Sequence, residues 1–261
     1  MAWDWTWRPY VGVWLFILVL AVGYGLHLRG KAIPNRRRYA VFFASGLAVL
    51  WAALDWPLGP LGASYLASVH MMQFLLIALV APPLLLLGTP VGSIESLRRH
   101  PRVFSLLEQA THPLVAFIIF NVVMTFSHWP NVVDALMPSQ LGSFAIDISW
   151  LVSGLIFWWP VVCAVPERAK FPMLMKIGYL AFNGLLIRPV SLMLLYAKYP
   201  MYAAYELAPP LPGTSAIDDQ QLAGVVMKVG SAWLMMMGVT VLFVLWHRRA
   251  HDGAGQEPVA E

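Results

Sequence analysis

The chain has 261 residues, of which 59% are hydrophobic and only 11% charged, with a formal net charge of +4. Soluble domains carry about 25% charged residues, so the composition excludes a soluble catalytic domain and indicates an integral membrane protein. The modest positive balance does not suggest nucleic-acid binding, and the single Cys163 rules out a disulfide framework or a CxxC metal motif.

Apolar stretches long enough to cross a bilayer as helices recur along the chain. The leader MAWDWTWRPY has no basic region beyond Arg8 and no convincing cleavage site behind it, so the first helix is expected to be retained. Trp3, Trp5 and Trp7 suit an interfacial aromatic belt. Span one covers 10–28. A loop with Arg29, Lys31, Arg36, Arg37 and Arg38 leads to the short span two, 39–54, which ends at Asp55-Trp56-Pro57. Span three covers 62–87. Arg98, Arg99 and Arg102 follow, and Val103–Ala110 is expected to be a short surface helix. Span four covers 112–127, with Pro113 suited to a first helical turn. Span five, 141–163, exits through a loop with Arg168 and Lys170. Span six covers 173–197. A long acidic, proline-rich loop precedes span seven, 221–246, and the tail 247–261 opens with His247-Arg248-Arg249.

The loops after spans one, three, five and seven hold nearly all the arginines and lysines. The N-terminus and the remaining loops hold only Arg8 and Lys198. The positive-inside rule therefore predicts an all-α, polytopic bundle of about seven transmembrane helices, one domain in all, with the N-terminus outside and the C-terminus cytoplasmic.

Span three carries the most unusual residues: His70, Met71, Met72 and Gln73 near its start, and Pro82–Pro83 in its second half. With orientation set, His70 lies roughly 12 Å below the outer surface and Asp147 about 8 Å. Arg188 lies roughly 14 Å down, Lys228 about 12 Å, and Asn121 at a similar depth. His128, Asp219 and Gln220 sit at outer mouths. Polar groups at membrane depth face a bundle interior or a wet cavity and find partners. The expectation is an outward-facing polar pocket walled by spans three to seven. Asp147, Arg188 and Lys228 are expected to pair as a buried ion network that sets its charge.

A histidine beside methionines is the vocabulary of a copper or haem site. The plainer reading of His70 is a neutral core histidine bonded to Arg188, Asn121 or a backbone carbonyl. Met71 and Met72 point off the His70 face by helical rotation and are expected to pack. Met235, Met236 and Met237 are expected in the core or against lipid, and Cys163 to be inert. His100, His112, His247 and His251 fall near the opposite surface and are poor partners for His70. No nucleophile–base pair or phosphate loop stands out. A metal or cofactor site is the sharpest chemistry available.

Four segments together resemble one family: HMMQFLLIALVAPPLLLLGTP from His70, SHWPNVVDAL from Ser127, GLIFWWPVV from Gly154 and DQQLAG from Asp219. In this order, over about Trp51 to Trp246, they are similar to the CtaG-type cytochrome c oxidase assembly factors. The resemblance implies a seven-span protein of the bacterial inner (plasma) membrane. It also implies a non-enzymatic role in haem–copper oxidase maturation, oxidase subunits as partners, and copper as the metal. Members often carry H-M-x-x-H, two histidines sharing a helix face; here the second is Phe74. Members also often have histidines at the outer start of span five, where this chain reads LGSFAIDISW with Asp147. His70 and His128 match, and Met124, one turn from His128, is the candidate soft third ligand. Gln73, Asn121, Asp147, Arg188, Asp219, Gln220 and Lys228 would line or charge the pocket. The alternatives are a metal-free scaffold for an oxidase subunit and a transporter of copper or a small solute. A haem-binding oxidoreductase would need a second histidine facing His70.

Overall fold

The computed structural model describes residues 5–90, 92–93, 97–162, 171–209 and 213–254, and among them it is helical with no strand. Cys163, Arg168 and Lys170 lie outside the described residues. In chain order the helices are α1 (Val11–Leu28), α2 (Arg36–Leu54), α3 (Leu58–Ser64) and α4 (Ala67–Leu87), then α5 (Pro101–Ala110) and α6 (Pro113–Ser127). They continue with α7 (Pro130–Leu136), α8 (Gln140–Val162), α9 (Met173–Leu186), α10 (Arg188–Tyr196), α11 (Ala203–Glu206) and α12 (Ala216–Ala254).

Six stretches are long and apolar enough to cross a membrane: α1, α2, α4, α8, α9 with α10, and α12. A seventh arises if α5 and α6, which meet at 73°, count together. The chain is a multi-pass helical membrane bundle, as the apolar periodicity predicts. Span four is the weak one, because α6 alone has 15 residues, about 22 Å of rise. The surface helix expected at Val103–Ala110 is α5, which buries none of its side chains.

α4 is the central helix. Of its membrane window 72% is buried, against 6% for α1. It packs on α2, α3, α8 and α12, while α6 packs on α8 and both halves of the α9–α10 span pack on α12. α1 is peripheral: it leans on α2 and turns Leu15, Leu18, Val19 and Val22 outward, where a bilayer would cover them. Its two ends are pinned. Tyr24 stacks on Phe43 at 3.8 Å between ring centroids, and Trp14 Nε1 donates to Asp55 Oδ2 at 2.8 Å.

The double proline explains the shape of α4. An α-helix would need Pro82 and Pro83 to donate to the carbonyls of Ala78 and Leu79, and neither nitrogen carries a hydrogen. The helix widens to π-helical over Leu75–Val80, where Ala81 N–H donates to Leu76 O five residues back. Gly154 of α8 sits against the freed Ala78 carbonyl. A Cβ at Gly154 would collide with Ala78 O and Pro82 Cγ, so only glycine lets the two backbones approach here.

Three boundaries differ from the sequence expectation. Span three does not start at 62, because the chain turns at Tyr65–Leu66 and α3 is separate from α4. Span six is two helices broken at Ile187, just before Arg188-Pro189, as a proline ring does to the turn preceding it. Span seven is part of a 39-residue helix, about 58 Å long, roughly twice a bilayer's hydrocarbon thickness.

Alternation of the spans brings the start of α4, the end of α6, the start of α8 and the start of α12 to one end of the bundle. α3, α7 and α11 lie there too.

Candidate functional site

The start of α4 is buried and must satisfy its free amides without water. Asp219 of α12 does so. Its Oδ2 accepts the Ala67 N–H at 2.6 Å, its carboxylate also takes the Ser68 N–H, and the Ser68 hydroxyl donates to Oδ1 in a very short bond. A carboxylate at a helix N-terminus is favoured by charge-assisted bonds and by the helix dipole. Asp219 is thus a cap that ties α12 to α4. It is not free to set the charge of a pocket.

One turn on, His70 enters the core only 1% exposed. His128, equally buried, follows the last residue of α6, and the two ring centroids are 6.3 Å apart. Here the structure supplies the facing histidine that the sequence left unassigned. Aromatic rings enclose the pair. Trp150 of α8 stacks on His128 at 5.5 Å and 19° and lies 4.8 Å from His70. Phe74 meets His128 edge-on at 5.0 Å, and Tyr205 lies 6.0 Å from His70.

The tautomer of His128 follows from its neighbours. Its Nδ1 lies 2.7 Å from Met124 O. A carbonyl can only accept, so Nδ1 carries the proton and Nε2 keeps a lone pair. Ser127 braces the ring: its hydroxyl lies 3.2 Å from Nδ1 and accepts Trp150 Nε1–H at 2.8 Å. His128 Nε2 and both His70 ring nitrogens are buried with no hydrogen-bond partner among the described residues. Buried ring nitrogens rarely stay so. Neither Arg188, nor Asn121, nor a carbonyl is the partner that the plainer reading gave His70; the Gln73 side chain is the polar group that approaches its ring.

The loop between α10 and α12 closes over the site. Tyr202 donates to His128 O at 2.9 Å and Tyr205 to Gly62 O at 2.7 Å. Burial pushes both phenols well above their ordinary value, so they remain protonated donors at neutral pH; Asp134 adds to this for Tyr202, and Tyr202, Asp219 and Asp147 add to it for Tyr205. Asp134 of α7 accepts the Ala204 N–H at 2.9 Å, and Gln220 accepts the Met201 N–H at 2.6 Å. Gln220 therefore anchors the loop. Sequence reasoning missed Trp150, Tyr202, Tyr205, Ser127 and Asp134. The family-like SHWP and the aromatic density of the long loop were the only available signals.

The expected ion network is absent among the described residues. Arg188 follows the break at Ile187 and is exposed on the bundle surface, Lys228 is half-buried, and neither pairs with Asp147. Depth alone placed them together, whereas Arg188, the first residue of α10, is exposed. Asn121 is also elsewhere: it donates to Asn183 Oδ1 at 3.0 Å and to Phe117 O. Met124 is buried and serves His128 through its backbone oxygen. Met71 is core, Met235 is core, and Met236 and Met237 face outward.

Asp147 and Gln73 line a separate cavity of about 640 Å³ between the start of α1, α3 and the start of α8. Gln73 Nε2 donates to Ala53 O at 2.9 Å.

The donor set is thin. Among the described residues no group of three or more histidine, cysteine, aspartate or glutamate side chains is placed to hold a metal. Two imidazoles remain. Two rings sharing one ion at about 2 Å per metal–nitrogen bond have centroids roughly 5–6 Å apart, close to the separation seen. A soft ion of low coordination number suits such a set; an ion demanding a full tetrahedral or octahedral shell does not.

A family model described as cytochrome c oxidase caa3 assembly factor matches residues 17–249. Among curated proteins, uncharacterized proteins of Mycobacterium bovis and Mycobacterium tuberculosis are each 26% identical to the chain over 92% of its length. One of Mycobacterium leprae is 25% identical over 74%. These matches cover 39%, 39% and 32% of the relatives, so the chain spans well under half the length of the curated relatives it matches. No solved structure matches the chain.

Proposed function

The chain belongs to the cytochrome c oxidase caa3 assembly factor family, and from that premise we propose that it holds copper at His70 and His128 and hands it to an oxidase subunit. The observation that carries the proposal is the pair of buried, facing imidazoles with unpartnered nitrogens. Copper is cargo in this scheme, and the role is non-catalytic. His128, its lone pair set at Nε2 by the Met124 carbonyl, is one donor and His70 the other. Met124 is the candidate third donor, being the buried thioether nearest in sequence to His128. The aromatic cage excludes water, which favours a reduced, weakly hydrated ion. The arginine distribution supports a site that opens outward from a bacterial inner membrane, with the C-terminus in the cytoplasm.

The test is the metal content of detergent-purified protein after Cu(I) loading. About one copper per chain is expected by this two-imidazole reading, falling to background in His70→Ala and in His128→Ala. In a strain that depends on this protein, the double variant should also lower oxidase copper and oxidase activity. Unchanged oxidase in that strain would sink the proposal.

One observation favours a metal-free scaffold as second reading. Phe74 packs edge-on against His128 where a further ligand would stand. Absence of copper from the wild type, with normal binding of an oxidase subunit, would select it.

A further inference from the structure

The far end of α12 carries a pair of groups that the buried site does not use. His247 and His251 stand four residues apart, so they share one face of the helix, and both are exposed. Their Nε2 atoms lie 3.0 Å apart, and neither has another hydrogen-bond partner among the described residues. The ring centroids are 4.3 Å apart and the rings almost perpendicular, at 87°. Phe243, one turn earlier, lies parallel to the His247 ring at 6.5 Å and 10°.

The two distances together describe a chelate. A straight N–H···N bond of this length would set the centroids roughly 5 Å apart. At 4.3 Å the rings are instead inclined toward a common point beside the helix. Two imidazoles in cis positions on one ion, at about 2.0–2.1 Å per bond, have nitrogens roughly 2.9 Å and centroids roughly 4.5 Å apart. Tetrahedral ligands would have nitrogens roughly 3.4 Å apart and a linear pair roughly 4 Å. The spacing therefore suits an ion with right-angled positions. Copper(II) and nickel(II) take such tetragonal sites, and copper(II) binds nitrogen donors the more tightly. His251 also lies in the last turn of α12, where the helix dipole favours a cation. Arg248 and Arg249 follow His247 by about 100° and 200° of rotation, so neither stands between the two rings.

We propose that His247 and His251 form an exposed bidentate site for a divalent transition-metal ion, copper(II) foremost, with water in the remaining positions. The pair lies roughly 42 Å along α12 from Asp219, which caps the helix carrying His70. It is thus separate from the buried histidines, and the proposal does not rest on the function assigned to them.

The test is titration of the full-length protein, its purification tag removed, with Cu(II) and with Zn(II) in detergent at slightly alkaline pH. Electron paramagnetic resonance reads the nitrogen ligands of the copper. A signal from two nitrogens is expected at about one equivalent. His247→Ala and His251→Ala should each weaken binding several-fold and to the same extent, and the double variant should be no weaker than either. His70→Ala should leave the signal unchanged. Hydrogen exchange over residues 247–254 should slow on Cu(II) binding in the wild type and not in the variants. Tighter binding of Zn(II) than of Cu(II), a loss in only one single variant, a signal that survives the double variant, or one that disappears in His70→Ala would each overturn the proposal.

Discussion

Asp219 illustrates how a residue in a functional motif can act through structure. Its carboxylate closes the amides of Ala67 and Ser68 and the Ser68 hydroxyl, three donors that water cannot reach. Removing one partner of a buried charged hydrogen bond costs about 2 kcal/mol. Asp219→Ala should therefore lower the melting temperature in detergent clearly, and Asp218→Ala, one residue away and exposed, should change it little. Equal effects would remove the capping role. His70 was visible in the sequence as a polar residue in an apolar span, and His128 as the histidine of the family-like SHWP segment; that the two rings meet was not legible. Arg188, Lys228 and Asn121 were misplaced for a shared reason: rise per residue gives depth, but azimuth needs the packing. Arg188 in particular opens α10 just after the break at Ile187 and is exposed.

At the scale of an element, α4 owes its course to Pro82 and Pro83, and its contact with α8 to Gly154. The proline signal was plain in the sequence. Its consequence, a wide turn over Leu75–Val80 with a carbonyl resting on a neighbouring backbone, required the partner helix to be seen. Gly154→Val should push α8 off α4 and, because Trp150 lies one turn away on α8, loosen the stack on His128. The expected result is a lower melting temperature and, under the proposed function, weaker copper retention. A Gly178→Val control, at a site with nothing within 4 Å of its Cβ position, should leave both nearly unchanged. The loop between α10 and α12 was the least legible element. It has no helical or strand period, and its anchors Tyr202 and Tyr205 look in the sequence like ordinary aromatic residues of a loop.

For the whole molecule, the number and order of apolar spans were legible because lipid demands continuous helices of a set length. The helix ends were less so, since a helix can begin before the bilayer or continue past it, as α12 does. Sidedness is tested by reporters: a green fluorescent protein fused after Glu261 should fluoresce, and alkaline phosphatase fused there should be inactive. The reverse pattern would place the histidine pair towards the cytoplasmic side and remove the outward opening that the proposed function requires.

The cap from Asp219 to Ala67 joins residues 152 positions apart. A chain entering the membrane in order from its N-terminus inserts α4 before α12. Until α12 arrives, the start of α4 has bare amides, and the loop carrying Tyr202 and Tyr205 has not closed on His128 and Gly62. The surroundings of His70 and His128 are therefore complete only once α12 has packed on α4, although every ring around the pair comes from elements that precede α12 in the chain.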